Sequence, residues 1–351
     1  MKLKKNQTIL SGSNFSLQSD IVYSEFISYE EYKDKNLEDN IVLYKEDGYL
    51  LYKLTHFELF ENAVIFCNNF ALLSLFKQLH GNREFKNIKI ITHQTDQLID
   101  EKLFSLKPDC ISKWFSINVG YDHPDLIPIP LGLGNNFQSG QINPLNINDV
   151  FQLNPNLLQA NVYLNFKEST NAKERENLYD YFKNKKWAYS DKPTLLKSDY
   201  EKVLKKSNFI LCPWGNGIDT HRLWEALYYN KIPITKFHHT YSSLEGLPIL
   251  FVDSYRDITE ELLFEFIESL KSSEVDYTKL NTESWFDLIN QKKEKNLNRI
   301  LIKESKIYSI MFKITLNAKK NILSKLKLFR YYLKQFKKIP KKIYQPNNEL
   351  K

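Results

Sequence analysis

The chain has 351 residues, of which 42% are hydrophobic and 14% aromatic, so wholesale disorder is excluded and two domains with separate cores are allowed. Its formal net charge is +7, but residues 301–351 hold 14 lysines and arginines against two glutamates. This last segment therefore carries +12, and residues 1–300 carry about −5 by difference.

The cysteines and the N-terminus predict a cytoplasmic protein. Cys67, Cys110 and Cys212 are far apart and match neither a zinc-site spacing nor a disulfide framework. The N-terminal lysines are followed by polar residues, so no secretory signal is expected. No stretch has the length and apolar character of a membrane span.

The first half of the sequence predicts one Rossmann-like domain over residues 1–140, because short apolar runs alternate with helical patterns. Residues 1 to about 60 give the weakest pattern. The predicted elements are strands over residues 41–51, 63–67, 87–92, 113–118 and 127–133, and a helix over residues 71–79.

A polar cluster, Thr92-His93-Gln94-Thr95-Asp96, ends the third of these strands. Open α/β sheets place ligand groups at the carboxyl ends of their strands. One interpretation is a capped turn, since Thr95 and Asp96 are good helix caps. The other is a general base, with Asp96 favoured over His93, that takes a proton from an attacking hydroxyl group.

A linker over residues 135–158, rich in Asn, Gln, Gly and Pro, precedes a second Rossmann-like domain predicted over residues 155–296. The alternation of strands and helices resumes there. The predicted strands cover residues 162–166, 209–212, 232–234 and 247–252, and the predicted helices cover residues 170–184, 198–206, 221–229 and 258–270.

The centre of this second domain is a strand, a glycine-rich loop, a helix and a strand over residues 208–235. Gly215 and Gly217 allow a sharp turn and a close approach to a ligand. Asp219 or Thr220 is placed to cap the helix. In a parallel sheet this loop lies at the carboxyl edge, where the N–H groups of a helix N-terminus favour phosphate.

The polar residues around the loop favour a ligand site over a turn made only for topology. A lone Gly-x-Gly is weak evidence for a ligand site. The prediction of a ligand site is strengthened by five polar side chains within ten residues, namely Asn216, Asp219, His221, Arg222 and Glu225.

The segment Cys-Pro-x-Gly-x-Gly-x-Asp-x-x-Arg-x-Trp-Glu-Ala-Leu at residues 212–227, followed by Ile-Pro-Ile, resembles the C-terminal motif of exostosin-like glycosyltransferases. The resemblance covers residues 160–255 closely and residues 88–137 more weakly. It implies an α/β fold of GT-B architecture, with two Rossmann-like domains facing across a cleft and the nucleotide sugar on the second.

The resemblance also implies roles for individual residues. Glu225 takes the ribose hydroxyls, and the loop from Gly215 to Gly217 lies with Arg222 near the diphosphate. The Thr-His-x-x-Asp segment recurs in similar bacterial enzymes and favours Asp96 as the base. Many retaining members carry a second Glu where this chain has Gly217, so inversion is favoured. No Asp-x-Asp-like metal pair is present, which predicts transfer without a bound metal.

The predicted function is transfer of a sugar from a nucleotide-sugar donor, without a further cofactor, to a saccharide or lipid-linked saccharide in bacterial capsule or lipopolysaccharide synthesis. Two alternatives stay open. One is a sugar-nucleotide epimerase of the same architecture. The other is a non-enzymatic protein that binds saccharide or nucleic acid.

The basic segment over residues 300–351 predicts an amphipathic helical tail on the inner face of the plasma membrane. Its lysines surround an apolar stripe with helical spacing. The alternative is a terminal helix packed on the body of the protein. Nucleic-acid binding is disfavoured, because no known binding module accompanies the charge. The stripe consists of Ile322, Leu326, Phe329, Leu333 and Phe336.

Overall fold

A computed structural model describes residues 7–138, 141–144, 147, 161–290 and 298–319. The chain divides into two compact units, residues 1–304 and residues 305–351. The first unit contains two sheets with parallel strands and surrounding helices, so the fold is mixed α/β as predicted. Most of the predicted linker lies outside the described residues.

The first sheet has seven strands in the order β2-β3-β1-β5-β6-β7-β8. Strands β1, β5, β6, β7 and β8 are parallel, and the β2–β3 hairpin adds antiparallel strands at one edge. The strands up to β8 are β1 Ile21–Ser28, β2 Asn40–Glu46, β3 Tyr49–Leu54, β4 His56–Leu59, β5 Val64–Asn68, β6 Ile88–His93, β7 Ile111–Ser116 and β8 Leu126–Pro128. The helices are α1 Gly12–Gln18, α2 Tyr29–Lys35, α3 Leu72–Leu79 and α4 Glu101–Phe104.

Local chemistry explains where the elements of this sheet agree with the predictions and where they differ. All five residues of β5 are buried, as expected of a central parallel strand without polar alternation. The strand predicted over residues 127–133 ends at Pro128, and Gly132 has a φ of +72°. A Cβ at Gly132 would clash with the carbonyl oxygen of Leu10, so this glycine lets the chain after β8 pass close to the Leu10 backbone.

The second sheet is wholly parallel, with the order β10-β9-β11-β12-β13. This is the 2-1-3-4-5 order of a doubly wound domain, in which the strand order reverses between β9 and β11. Its strands are β9 Val162–Leu164, β10 Ala188–Ser190, β11 Phe209–Leu211, β12 Ile232–Lys236 and β13 Leu250–Val252. Its helices are α5 Ala172–Arg175, α6 Leu178–Phe182, α7 Lys197–Lys206, α8 His221–Tyr228, α9 Glu260–Lys271 and α10 Thr282–Ile289.

The helix predicted over residues 170–184 is broken into α5 and α6. Asn177 stands between them with a φ of 64°, in the left-handed region that asparagine tolerates better than most residues. The break ends α5 at Arg175, whose side chain is buried beneath the carboxyl edge of the sheet.

One continuous hydrophobic core joins the two sheets. Phe15 and Phe115 contribute to it from the first half of the chain, and Trp224 and Tyr228 contribute from α8. The Tyr228 hydroxyl accepts a hydrogen bond from the N–H of Leu10 (2.8 Å) and donates one to the Leu280 carbonyl. The chain then returns to its first half through strand β14 Ile300–Lys303, which pairs with β4.

In the second unit, residues 306–319 form a helix. The apolar stripe predicted from Ile322 to Phe336 lies outside the described residues. Among the helices of the described part, none is long and apolar enough to cross a membrane.

Candidate functional site

A cavity of about 350 Å³ opens at the carboxyl ends of β9 and β11, where the strand order of the second sheet reverses. Doubly wound domains bind ligands in this crevice. Residues of the first half of the chain contribute Asp96, Leu131 and Gln141 to its wall. The remaining lining residues are Asn165, Lys167, Thr170, Arg175, Pro193, Leu195, Lys197, Tyr200, Gly215, Asn216, Gly217, Asp219, Thr220, His221, Arg222 and Glu225.

The floor of the cavity is the loop after β11, and Arg175 holds that loop in place. Its Nε donates to the carbonyl of Trp214 (2.8 Å), and its Nη2 donates to the carbonyl of Pro213 (2.9 Å). Its Nη1 donates to the Lys167 carbonyl at 3.1 Å. Burial lowers the pKa of this guanidinium to about 10. Arg175 therefore remains charged at neutral pH but serves mainly to organise the backbone.

The two glycines of the loop are needed for close approach rather than for a special backbone angle, since neither has a φ in the left-handed region. A Cβ at Gly217 would lie 2.8 Å from the amide nitrogen of Asn118. A Cβ at Gly215 would lie 3.1 Å from the Arg175 guanidinium. Each glycine thus lets a side chain from another element pack directly against the loop.

Asn118 and Asp219 clamp the two halves of the chain together beside the cavity. The side-chain carbonyl oxygen of Asn118, Oδ1, accepts hydrogen bonds from the backbone N–H groups of Ile218 (2.8 Å) and Asp219 (3.0 Å). In return, the Asp219 carboxylate accepts from the N–H of Leu131 (2.8 Å) and from the indole of Trp224. Because both oxygens of its carboxylate accept these hydrogen bonds, Asp219 holds the loop in position.

Asp219 gives the fold a testable pH dependence. Burial raises the pKa of this carboxyl group from 3.8 to about 7, although three N–H donors act in the opposite direction. The folded state then binds more protons than the unfolded state, so this group lowers stability as pH rises from about 4 to about 7. Asp219→Asn stays neutral throughout. In urea unfolding, the stability of the variant relative to wild type should therefore rise over this interval, and a flat or falling difference would contradict the assignment.

Arg222 lies on the first turn of α8, and its side chain is a cation in the cavity wall. Among the described residues, none forms a hydrogen bond or an ion pair with its guanidinium, and its Nε is buried without an acceptor. Burial by itself would lower the pKa of Arg222. The nearby Tyr200, Cys212 and Glu225 more than offset this effect, and the net result is a raised pKa. A half-buried guanidinium that is charged and unpaired is suited to bind an anionic ligand.

Glu225 lies one turn further along α8 and is buried. One carboxylate oxygen accepts a hydrogen bond from the Tyr200 hydroxyl (2.8 Å), and the other accepts from the N–H of Ile142 at 3.4 Å. Because a carboxylate has about four acceptor positions, these two bonds leave room for further donors from a ligand.

His221 begins α8 and is half-buried at the cavity wall. Its Nδ1 lies 2.8 Å from the carbonyl oxygen of Gly132. Because a carbonyl only accepts, Nδ1 carries the proton, and Nε2 of the neutral ring is left as an acceptor. Burial lowers the pKa of His221, while the Gly132 carbonyl and the charges of Glu225 and Asp96 partly oppose this.

The two predicted base candidates in the first sheet differ in their surroundings. Asp96 is exposed at the cavity wall, and among the described residues none hydrogen-bonds its carboxylate. It does not cap the next helix, because Asp100 fills that role for α4. His93 is buried behind the wall, with its Nε2 3.2 Å from the Pro130 carbonyl and its Nδ1 accepting from the N–H of Gln94. Burial lowers the pKa of His93 to about 3, so its ring is neutral.

Eight of the nine predicted site residues thus line one cavity, namely Asp96, Gly215, Asn216, Gly217, Asp219, His221, Arg222 and Glu225. His93 lies outside it. The sequence did not identify Asn118, which accepts two hydrogen bonds from the loop and has a left-handed φ of 53°, a conformation that asparagine tolerates. It also gave no indication that Tyr200 of α7 reaches Glu225.

No group of three or more His, Cys, Asp or Glu side chains in the described part of the chain is placed to hold a metal ion. Comparisons with known proteins found no matching family model and no matching curated protein.

Proposed function

We propose that this chain is a glycosyltransferase that binds a nucleotide sugar in the cavity and transfers the sugar to a saccharide or lipid-linked saccharide. One observation carries the proposal. The Arg222 guanidinium, which no described residue pairs with, lies beside the Gly215–Gly217 loop and the N-terminus of α8, where the strand order of a doubly wound parallel sheet reverses. This combination suits a diphosphate.

The donor has complementary groups along the cavity. Arg222 and the N–H groups at the start of α8 face the diphosphate, and the Thr220 side chain does not cap those N–H groups. The free acceptor positions of Glu225 take ribose hydroxyls. Lys167 and Lys197, which also line the cavity, add positive charge around the nucleotide.

In this proposal the two sheets correspond to the two Rossmann-like domains of a GT-B enzyme. The second sheet holds the donor, and the acceptor enters beside Asp96 from the side of the first sheet. The hydrogen bonds of Asn118 and Asp219 keep the two sides in a fixed relation near the reacting groups.

The chemical step is a substitution at the anomeric carbon of the sugar. The acceptor hydroxyl oxygen forms a bond to that carbon, and the bond from the carbon to the diphosphate oxygen breaks with its electron pair. Arg222 and the helix N-terminus stabilise the negative charge that develops on the leaving diphosphate. We assign the proton of the acceptor hydroxyl to Nε2 of His221, and the charge of Asp96 stabilises the imidazolium that forms.

The proposal is tested by ligand-dependent thermal stability followed by a transfer assay. Nucleotide sugars and free nucleoside diphosphates are screened for their effect on the melting temperature, because a ligand that binds only the native state raises it. Transfer is then measured with the stabilising donor and a panel of saccharides. If no nucleotide or nucleotide sugar stabilises the protein at millimolar concentration, the donor-site assignment is wrong.

Glu225→Gln tests the ribose contact separately from the diphosphate contact. The amide keeps the shape and one acceptor oxygen but loses the negative charge, so affinity for a nucleoside diphosphate should fall by about tenfold or more. Isothermal calorimetry measures this change. The matched control is Glu176→Gln, the same change at an exposed glutamate outside the cavity wall. Equal affinities of the two variants would remove Glu225 from the donor site.

A further inference from the structure

The helix over residues 306–319 presents an apolar stripe to solvent. Ile307, Ile310, Met311 and Ile314 are spaced at i, i+3, i+4 and i+7, which places them on one face of a helix. Their exposed fractions are 72%, 53%, 61% and 62%. Four large apolar side chains that are all more than half exposed on adjacent turns form a contiguous patch rather than scattered surface residues.

Basic side chains flank this stripe. Lys306 and Lys313 each precede a stripe residue by one position, so both lie about 100° to the same side of it. The unit that contains the helix, residues 305–351, has 13 lysines and arginines against one glutamate in its sequence. An exposed apolar face therefore belongs to a segment with a net charge of +12.

We propose that the stripe Ile307–Ile310–Met311–Ile314 is a docking surface for an anionic phospholipid bilayer. The apolar side chains enter the boundary between headgroups and acyl chains, and the flanking lysines contact anionic headgroups. Burial of the four side chains and attraction of the basic segment act together on one partner.

Charge decides between this partner and the other candidates. A second copy of the chain would cover the stripe but would bring together two segments of +12 each, which repel. A nucleic acid would match the charge but would offer no apolar environment to four aliphatic side chains. An anionic bilayer satisfies both features at once.

The test uses the full-length protein and two kinds of vesicle, pure phosphatidylcholine and phosphatidylcholine mixed with phosphatidylglycerol. We expect co-sedimentation with the mixed vesicles at low salt and release as sodium chloride is added. Ile310→Ser combined with Ile314→Ser should lower the affinity for mixed vesicles at least about tenfold. The matched control, Leu73→Ser combined with Leu106→Ser, removes two exposed leucines of the first unit and should bind as wild type does.

A second measurement reports insertion directly. An environment-sensitive fluorophore on Ile314→Cys should shift to shorter wavelength with mixed vesicles. The same label on Lys319→Cys, about 140° around the helix from residue 314, should shift less. All three native cysteines are buried, so labelling is selective.

Three results would overturn the proposal. The first is failure of the full-length protein to bind mixed vesicles at low salt. The second is equal binding by the serine variant, which would assign adsorption to the basic charge alone. The third is a wild-type dimer that becomes monomeric in the serine variant without any vesicle binding, which would assign the stripe to a second copy. None of these readouts depends on nucleotide binding.

Discussion

Replacing Arg222 with methionine is expected to remove diphosphate binding and to leave the stability of the free protein almost unchanged. Arg222 forms no hydrogen bond or ion pair with any described residue, so its loss breaks no such contact within the described structure. Methionine keeps much of the apolar stem, and the free energy of unfolding should change by less than about 1 kcal/mol. The lost bidentate contact should weaken nucleoside diphosphate binding by about 100-fold.

A series of ligands locates the contact that Arg222 makes. Calorimetry with a nucleoside, its monophosphate and its diphosphate gives the affinity gained from each phosphate. In wild type the diphosphate should bind much more tightly than the nucleoside, and in Arg222→Met this gain should disappear while weak nucleoside binding persists. A diphosphate affinity equal to that of wild type would place the phosphates elsewhere.

Arg175→Met is the matched control from the same cavity. It should destabilise the protein by about 3 kcal/mol or more, because three backbone carbonyls lose their donors. The two arginines lie within one cavity wall, but Arg175 donates to three backbone carbonyls, whereas no described residue bonds the Arg222 guanidinium. A large stability loss in Arg222→Met would erase this distinction.

The fold was predictable from sequence where strands are buried on both faces. Short, mostly apolar runs without helical spacing indicated β5, β6, β11 and β12, because a central parallel strand is covered on both faces. Strand β1 was not predicted, although it lies inside the first sheet, because its sequence carries Ser24 and Glu25 between apolar residues. Both polar residues are buried there, and Glu25 is held by Ser16, Lys35 and Tyr52.

The cavity was predictable to the extent that its residues are close in sequence. The cluster from Gly215 to Glu225 spans a loop and one helix, so local spacing was enough to indicate a ligand site. The contacts that decide roles come from distant segments. Asn118 and Leu131 make Asp219 a clamp, and the Gly132 carbonyl fixes the tautomer of His221. These pairings depend on how the two sheets are placed relative to each other. The hydrophobic periodicity of the sequence carries no information about that placement.

Replacing His221 with asparagine is expected to reduce turnover at least 100-fold, the effect of losing a positioned general base. The asparagine amide can take the place of Nδ1–H and still donate to the Gly132 carbonyl, but it offers nothing at the position of Nε2. Donor affinity and melting temperature should therefore stay near the wild-type values. An asparagine variant with normal turnover would show that His221 only supports the loop.

The pH profile separates His221 from Asp96 as the base. The base must be unprotonated, so kcat/KM should fall as pH decreases through the pKa of His221, which burial holds below 6.5. The charge of Asp96 raises that pKa, so Asp96→Asn should move the acidic limb to lower pH and lower the plateau only moderately. If Asp96→Asn instead abolishes turnover and His221→Asn leaves the limb in place, the acceptor proton goes to Asp96, and His221 positions the loop.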